Sequence, residues 1–329
     1  MKDYGISVLD QYEINVDSTR RTRGAVLCNT DKGLFLLKEL HIPGDRMPIL
    51  TEVYRYLEEQ GFTMTDMPVA NKEGEFQSVA DDGCTYVLKR WFQGHECEIK
   101  KDDDLVSAVR QLARLHRILG TMEIRDPERM DETLLERFKR HNRELRKVNQ
   151  YVCRCSVKSE FESELLKGFP RMYRQAELVQ EMAEESDTGS LYEEAVKNGS
   201  FIHGDYNYHN VLICPEGTAV TGFSRVHQGV QMEDLYYFLR KVLEKHQYDI
   251  GLGEKLLRTY DRILPLGEAQ REYLAIRLAY PEKFWKIVNT YYQSNKAWIP
   301  QKNTEKLKNA VALSERKRLF LSQIFALKL

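Results

Sequence analysis

Apolar residues follow two different periods along the chain, and the switch between them divides it. Near the N-terminus, residues 24–29 (GAVLCN) and 34–40 (LFLLKEL) are short apolar runs around a polar Thr30-Asp31-Lys32-Gly33 turn, which predicts a β-hairpin. Residues 84–92 (CTYVLKRWF) predict a further strand. Between them, residues 48–60 (PILTEVYRYLEEQ) set Ile49, Val53, Tyr56 and Leu57 on one side behind an early Pro48, the pattern of a helix. Helical spacing then takes over. Leu105, Val109, Leu112, Ala113 and Ile118 form the apolar stripe of a helix over residues 105–119. From about 131 to 186 the chain is highly charged, with spaced Leu, Phe and Tyr, and reads as two or three long surface helices in which NRELRKVNQ is a solvated stretch. Phe201-Ile202 and Val211-Leu212-Ile213 are short buried strands on either side of a polar octapeptide. Residues 251–295 carry a helical aromatic and aliphatic core pattern that Trp298 and Pro300 terminate, and residues 303–328 form a last charged helix.

Length and composition set the class. A chain of 329 residues exceeds what one hydrophobic core usually serves, so an α+β protein with two lobes is expected. The boundaries suggested by the change of period are a β-rich N-terminal lobe over residues 1–93 and a mainly helical C-terminal lobe over residues 94–329. The charged fraction of 30% with a net charge of -1 describes a soluble protein and gives no case for nucleic acid or an anionic membrane as partner. No apolar run approaches the roughly 18 residues of a membrane span, and the N-terminus lacks a basic segment followed by an apolar one, so synthesis in the cytoplasm is expected. The six cysteines make neither paired C-x-x-C sites nor a dense framework; reduced thiols are expected, with Cys153 and Cys155 as a weak metal or redox candidate.

The candidate chemistry lies in the octapeptide HGDYNYHN, residues 203–210. In a phosphotransfer loop of the form H-R-D-x-x-x-x-N, the Asp accepts the proton of the attacking hydroxyl and the Asn five positions on holds magnesium. Asp205 and Asn210 keep that interval, and His203 stands two before the Asp. With Gly204 in place of Arg, the loop resembles those of aminoglycoside phosphotransferases and choline-kinase-like proteins. The resemblance implies a two-lobe, protein-kinase-like fold that uses ATP and Mg2+, with Asp205 and His203 as the catalytic pair and Asn210 as a metal ligand. It also implies that Lys38, closing the third strand, pairs with nucleotide phosphates and with a Glu on the next helix. Glu52 is the choice over Glu58 and Glu59. Residues 84–92 would lead into the hinge that takes the adenine, loosened by Gly94, and Asp234 in EDLYYFLRK would brace the catalytic loop. His116 in LARLH reads as a packed or capping histidine.

One element of that pattern is missing. The second metal-binding Asp is expected some fifteen to twenty residues after the catalytic Asp, yet AVTGFSRV has Gly222 at that place. Between Asn210 and Glu233 the only carboxylate is Glu216, in a Pro-Glu-Gly turn. Asn210 alone is a weak ligand for a hard cation, and removing a preorganised electrostatic group commonly costs a factor of about a hundred to a thousand. Glu233 is the nearest downstream substitute. The loop between the first strands, NVDSTRRTRGA, has a single Gly24 where kinases are glycine-rich; its Arg20, Arg21 and Arg23 suit either phosphate or solvent.

Several segments together resemble a narrower family. YEINVDSTRRTRGAVLCNTDKGLFLLKEL, YVLKRWFQGHECE, HGDYNYHNVLI, MEDLYYFLRKVLEKH and, most specifically, SNKAWIPQKNTEKL at residues 294–307 are similar to the CotS-type spore coat proteins of endospore-forming bacteria. Membership implies synthesis in the mother cell, deposition in the spore coat and coat proteins as partners. Three functions follow: a kinase-like coat protein with weak or no phosphotransfer, because Gly222 replaces the metal-binding Asp; an active ATP-dependent phosphotransferase on a small hydroxylated molecule, a sugar or a coat protein, with Asp205 as base; or a module that binds a nucleotide or sugar phosphate without turnover. The charged insert at 131–186 is a candidate acceptor-site wall or protein-binding face.

Overall fold

The predicted hairpin forms and recruits three more strands. β1 (Val16–Thr22), β2 (Ala25–Thr30), β3 (Gly33–Glu39), β4 (Ser78–Val79) and β5 (Thr85–Arg90) make an antiparallel sheet in the order β1-β2-β3-β5-β4. The register sets Leu36 opposite Lys89 and Lys38 opposite Val87. Because successive side chains alternate faces, Val26, Cys28, Phe35, Leu37 and Leu88 meet Val8, Leu9 and Tyr12 in one apolar cluster. Leu36, Lys38, Val87 and Lys89 are left on the opposite face. β1 is exposed along its whole length, so Arg20 and Arg21 lie in a charged edge strand, which discourages further pairing, and not in a phosphate-binding turn. This computed structural model describes residues 5–22, 24–40, 46–81, 83–122, 131–294 and 301–329. Arg23 and residues 295–300 of the 294–307 segment, Trp298 and Pro300 among them, lie outside the described residues.

The chain divides into two compact units, Met1–Asp126 with Phe201–His227, and Pro127–Ser200 with Gln228–Leu329. In the first, α1 (Met47–Glu59) buries Met47, Leu50, Val53, Tyr54 and Leu57. Ile49 and Tyr56 stay half-buried, so the buried stripe is rotated from the predicted one, toward the residue whose hydroxyl finds a buried partner. β6 (His95–Glu96) pairs with β8 (Val211–Cys214), and β8 with β9 (Gly217–Val220). α2 (Asp102–Leu119) carries Asp102, Asp103 and Asp104 in its first turn, where carboxylates complement the helix dipole. The Tyr206 hydroxyl, four residues after β7 (Phe201–Ile202), donates to the Ala108 carbonyl of α2 at 2.8 Å. These links join residues 201–227 to the N-terminal sheet's unit, whereas the change of period at residue 93 suggested grouping them with the helical remainder.

The second unit is helical: α3 (Leu134–Arg154), α4 (Glu160–Glu185), α5 (Ser190–Asn198), α6 (Met232–Lys245), α7 (Ile250–Asp261), α8 (Glu268–Ala279), α9 (Glu282–Gln293), α10 (Gln301–Ala312) and α11 (Ser314–Phe325). Capping boxes start the two long helices: Thr133 with Glu136, and Ser159 with Glu162, exchange side-chain and backbone hydrogen bonds. The charged insert is therefore two helices, and it is less solvated than its composition suggested. Within NRELRKVNQ, Asn142, Leu145 and Val148 are buried. Asn142 donates to Gln180 Oε1 at 2.9 Å and accepts from the Tyr280 hydroxyl at 2.7 Å.

A charge network holds these helices. Glu233 Oε1 accepts from Arg137 at 2.7 Å, from the Tyr273 hydroxyl at 2.6 Å and from Arg277 at 3.1 Å. Burial opposes its ionisation, but the two guanidiniums and the hydroxyl prevail and hold its carboxyl down to about 2. A group with its folded value below its unfolded value contributes stability that is present above about pH 4.5 and lost as the pH falls toward 2. Glu233→Gln should therefore destabilise the protein by roughly 3 kcal/mol at neutral pH, by leaving two arginines short of a counter-charge, and should flatten acid unfolding between pH 4.5 and 2 in chemical-denaturation series. Lys317 is the opposite case: burial pushes its amine down to about 7, while Nζ donates to the Tyr280 carbonyl at 2.7 Å. The unfolded chain keeps that proton to higher pH, so stability rises from pH 7 upward. Lys317→Met should flatten that rise in melting temperatures measured between pH 7 and 9.

Candidate functional site

The octapeptide leaves β7 and closes on itself through its own polar groups. His203 is fully buried. Its Nδ1 lies 3.2 Å from the Asp205 backbone N–H and so accepts, which makes Nε2 the donor to the Thr221 carbonyl at 3.0 Å. With both ring nitrogens engaged, His203 positions the loop. Asn207 donates to the Asp205 carbonyl at 2.8 Å and to Oδ1 at 3.1 Å, while its own Oδ1 caps the turn by accepting from the His209 N–H. Asn210 Nδ2 donates to the Asp205 carbonyl at 2.9 Å and to Oδ2 at 3.3 Å. Both carboxylate oxygens of Asp205 thus accept from side-chain amides of its own loop.

Downstream of β9, Gly222 has φ 85°. A Cβ built there would sit 2.9 Å from Asn210 Cγ and 3.0 Å from its Oδ1, so the Asn210 amide fills the space a side chain at 222 would need. The Gly222 N–H donates to Asp66 Oδ2 at 3.1 Å. Asp66 is 2% exposed. Its Oδ2 also accepts from Lys89 Nζ at 2.7 Å, and its Oδ1 from the Tyr54 hydroxyl at 2.6 Å. Burial and the Asp66 charge raise Tyr54 well above the usual phenol range, so it remains a donor. The Tyr54 ring packs on Phe223 at 5.1 Å between centroids, and Phe223 on His203 at 4.6 Å. An aromatic row therefore connects α1 to the octapeptide.

Above this cluster is a cavity of about 230 Å³ whose wall includes Leu36, Val87, Trp91 and Leu212 with Lys38, Lys89, Asn210 and Gly222. Sequence reasoning brought Lys38, Asn210 and Gly222 to it. Glu52 and Gly94 are not on its wall, and among the described residues no ion pair joins Lys38 to Glu52; the buried cation–carboxylate pair is Lys89–Asp66. Gly94 is needed for close approach: a Cβ there would lie 2.5 Å from the Ile213 carbonyl. It is a packing contact against β8, where a loosened hinge was expected. Asp205 is not on its wall, whereas Asn210, which donates to Asp205, is. Asp234 is buried on α6 in the second unit, where its charge raises Tyr260 beyond what burial alone does. Glu233, the substitute metal ligand, is committed to Arg137, Arg277 and Tyr273. Sequence reading missed Asp66, Lys89 and Tyr54. Lys89 was the available signal, a charged residue at an inward position of an otherwise apolar strand.

The donors do not suit magnesium. Among the described residues no group of three or more His, Cys, Asp or Glu could hold a metal ion, Cys153 and Cys155 included. Asn210 offers only its neutral carboxamide oxygen, its nitrogen being turned to Asp205, and the carboxylate beside Gly222, Asp66, already takes hydrogen bonds from three donors, one of them a lysine.

Comparison with known proteins places this geometry. The chain is 22% identical over 326 residues to spore coat protein S of Bacillus subtilis (strain 168), covering 96% of this chain and 92% of the relative. An aminoglycoside phosphotransferase from Alicyclobacillus acidocaldarius subsp. acidocaldarius DSM 446 superposes with a TM-score of 0.87 at 20% identity, covering 97% of this chain and 95% of the other. The AMP-bound spectinomycin phosphotransferase APH(9)-Ia gives 0.65 at 12% identity, covering 94% and 96%. The aminoglycoside phosphotransferase-like fold expected from the octapeptide is thus present. Residues 6–324 match the family model described as "Spore coat putative kinase YutH", and the chain belongs to that family of kinase-like spore coat proteins.

Proposed function

We propose that this protein is a kinase-like component of the spore coat in which phosphotransfer has been lost, and that its octapeptide now serves to hold the fold. One observation carries the reading: Gly222 leaves the metal-binding carboxylate out, the Asn210 amide occupies the place of its side chain, and the backbone N–H is capped by Asp66. A triphosphate entering the cavity would meet Lys38, exposed on the wall, and Lys89, already paired with Asp66. Separating such a buried pair costs about 3–5 kcal/mol, and no metal carboxylate offsets the phosphate charge. Loss of one preorganised electrostatic group lowers rates by a factor of about a hundred to a thousand, and the group left out here is the carboxylate expected to hold the metal.

Deposition in the coat and contact with other coat proteins follow from the family and from the coat protein relative. The nucleotide-binding side of the reading draws on the fold: the spectinomycin phosphotransferase neighbour is described with AMP, and the apolar wall of Leu36, Val87, Trp91 and Leu212 would suit a base. The opposing reading, an active phosphotransferase, draws on one specific feature, the Asp205–Asn210 interval.

Turnover separates the two. With labelled ATP, magnesium, and small aminoalcohols, sugars or coat extract as acceptors, the full-length protein should transfer no more phosphate than its Asp205→Ala variant. Transfer that disappears in that variant would overturn the proposal. A second measurement addresses the metal position directly. Gly222→Asp should lower the melting temperature, by roughly 1–3 kcal/mol of stability for a non-glycine residue forced to positive φ against Asn210. It should bring no magnesium-dependent shift; a magnesium-dependent rise in melting temperature would mean the site is only one residue from competence.

A further inference from the structure

Since the residues present do not fit the metal, the ligand that this cavity fits is a different one from the metal nucleotide of a working phosphotransferase. We infer that it is an uncharged or weakly charged nucleoside, bound without magnesium; this rests on the reading that the site does not transfer phosphate. Three observations converge on it.

The first is charge. Among the described residues, the Lys, Asp and Glu side chains on the wall are Lys38 and Lys89 with Glu39, Asp66 and Glu96. Lys89 is neutralised within the wall by Asp66 at 2.7 Å, and Glu96 is 2.6 Å from His209 Nδ1. Lys38 is exposed and has Glu39 beside it in sequence. A ligand carrying three or four negative charges would meet carboxylates as well as lysines there, one of the lysines already paired, and like charges brought together at an interface are unfavourable.

The second is size. The cavity of about 230 Å³ falls below the roughly 300–1,000 Å³ of sites that bury a drug-sized ligand, so a compact ligand fits and a triphosphate chain would extend outside it. The third is the retained apolar end. Leu36, Val87, Leu212 and the half-buried Trp91 share the wall, and a planar base gains from an aromatic neighbour whatever the state of the phosphate end. The polar end offers the Asn210 carboxamide oxygen, whose nitrogen partner is already engaged, as an acceptor for a ribose hydroxyl.

The test is calorimetric titration of the full chain with adenosine, AMP and ATP, each in magnesium and in chelator. Adenosine should bind at least about tenfold more tightly than ATP, with the same affinity in both buffers. Trp91→Ala should weaken adenosine by roughly five- to a hundred-fold, the range of one base stacked on an aromatic ring. Asp66→Asn, which frees Lys89, should narrow the preference for adenosine over AMP. Should that buried substitution unfold the protein, the half-buried Glu39→Gln removes one wall carboxylate and should move the ratio in the same direction. Tighter binding of ATP with magnesium than of adenosine, or no nucleoside binding at all, would overturn the inference. In the second case the non-catalytic reading stands, because it is judged by phosphate turnover; measured turnover would overturn both.

Discussion

The arrangement of the first unit depends on a single buried carboxylate. Asp66 takes hydrogen bonds from the Tyr54 hydroxyl of α1, the Lys89 amine of β5 and the Gly222 N–H beyond β9, joining three elements far apart in sequence. A buried charge persists only when it is paired and its remaining lone pairs are satisfied; here both conditions are met. The position of α1, the neutralisation of the cavity's inner lysine and the conformation at 222 are therefore one constraint seen from three sides.

The octapeptide obeys the same logic. Asp205, Asn207 and Asn210 satisfy one another, His203 spends both ring nitrogens on the backbone, and Tyr206 reaches α2. Five of the motif's polar residues, His203, Asp205, Tyr206, Asn207 and Asn210, thus have a structural reason to be there. Buried polar groups must find partners, and a network closed in this way specifies one loop conformation without any substrate. Keeping the residue types of a catalytic loop is consequently compatible with losing the reaction. In the second unit Glu233 is held in the same manner by two arginines and a tyrosine, and its acceptor capacity is committed to the packing of those helices.

Much of this was legible beforehand, and the reasons are local. The hairpin over residues 24–40, the helix from 105 to 119 and the helical C-terminal core follow from short-range period. The family resemblance rested on contiguous strings. What escaped depends on contacts between distant segments. Lys38 was chosen as the paired lysine because it closes the third strand, but pairing is decided by which carboxylate reaches which face: the register sets Lys89 opposite Leu36 on the same side, and Asp66 arrives from the irregular segment after α1. Gly94 was read as a hinge because glycine loosens a chain, whereas its need is steric, set by the Ile213 carbonyl more than a hundred residues away. The charged insert looked solvated because its composition is polar, yet one stripe of each helix is buried against other helices.

The hydrogen bond from the Gly222 N–H to Asp66 also bears on why a residue without a side chain suits position 222. An Asp at 222 would bring a second negative charge beside Asp66, whose charge the single Lys89 already balances. Two carboxylates in one poorly solvated site cannot both stay ionised without a cation between them. Where magnesium supplies that cation, the second carboxylate is an asset. Here a lysine from the sheet supplies it permanently, so an additional carboxylate would carry only repulsion, and a residue with no side chain leaves the Asp66–Lys89 pair undisturbed. Lys89 thus supplies the counter-charge of Asp66 from within the chain, and the glycine at 222 leaves that buried pair undisturbed.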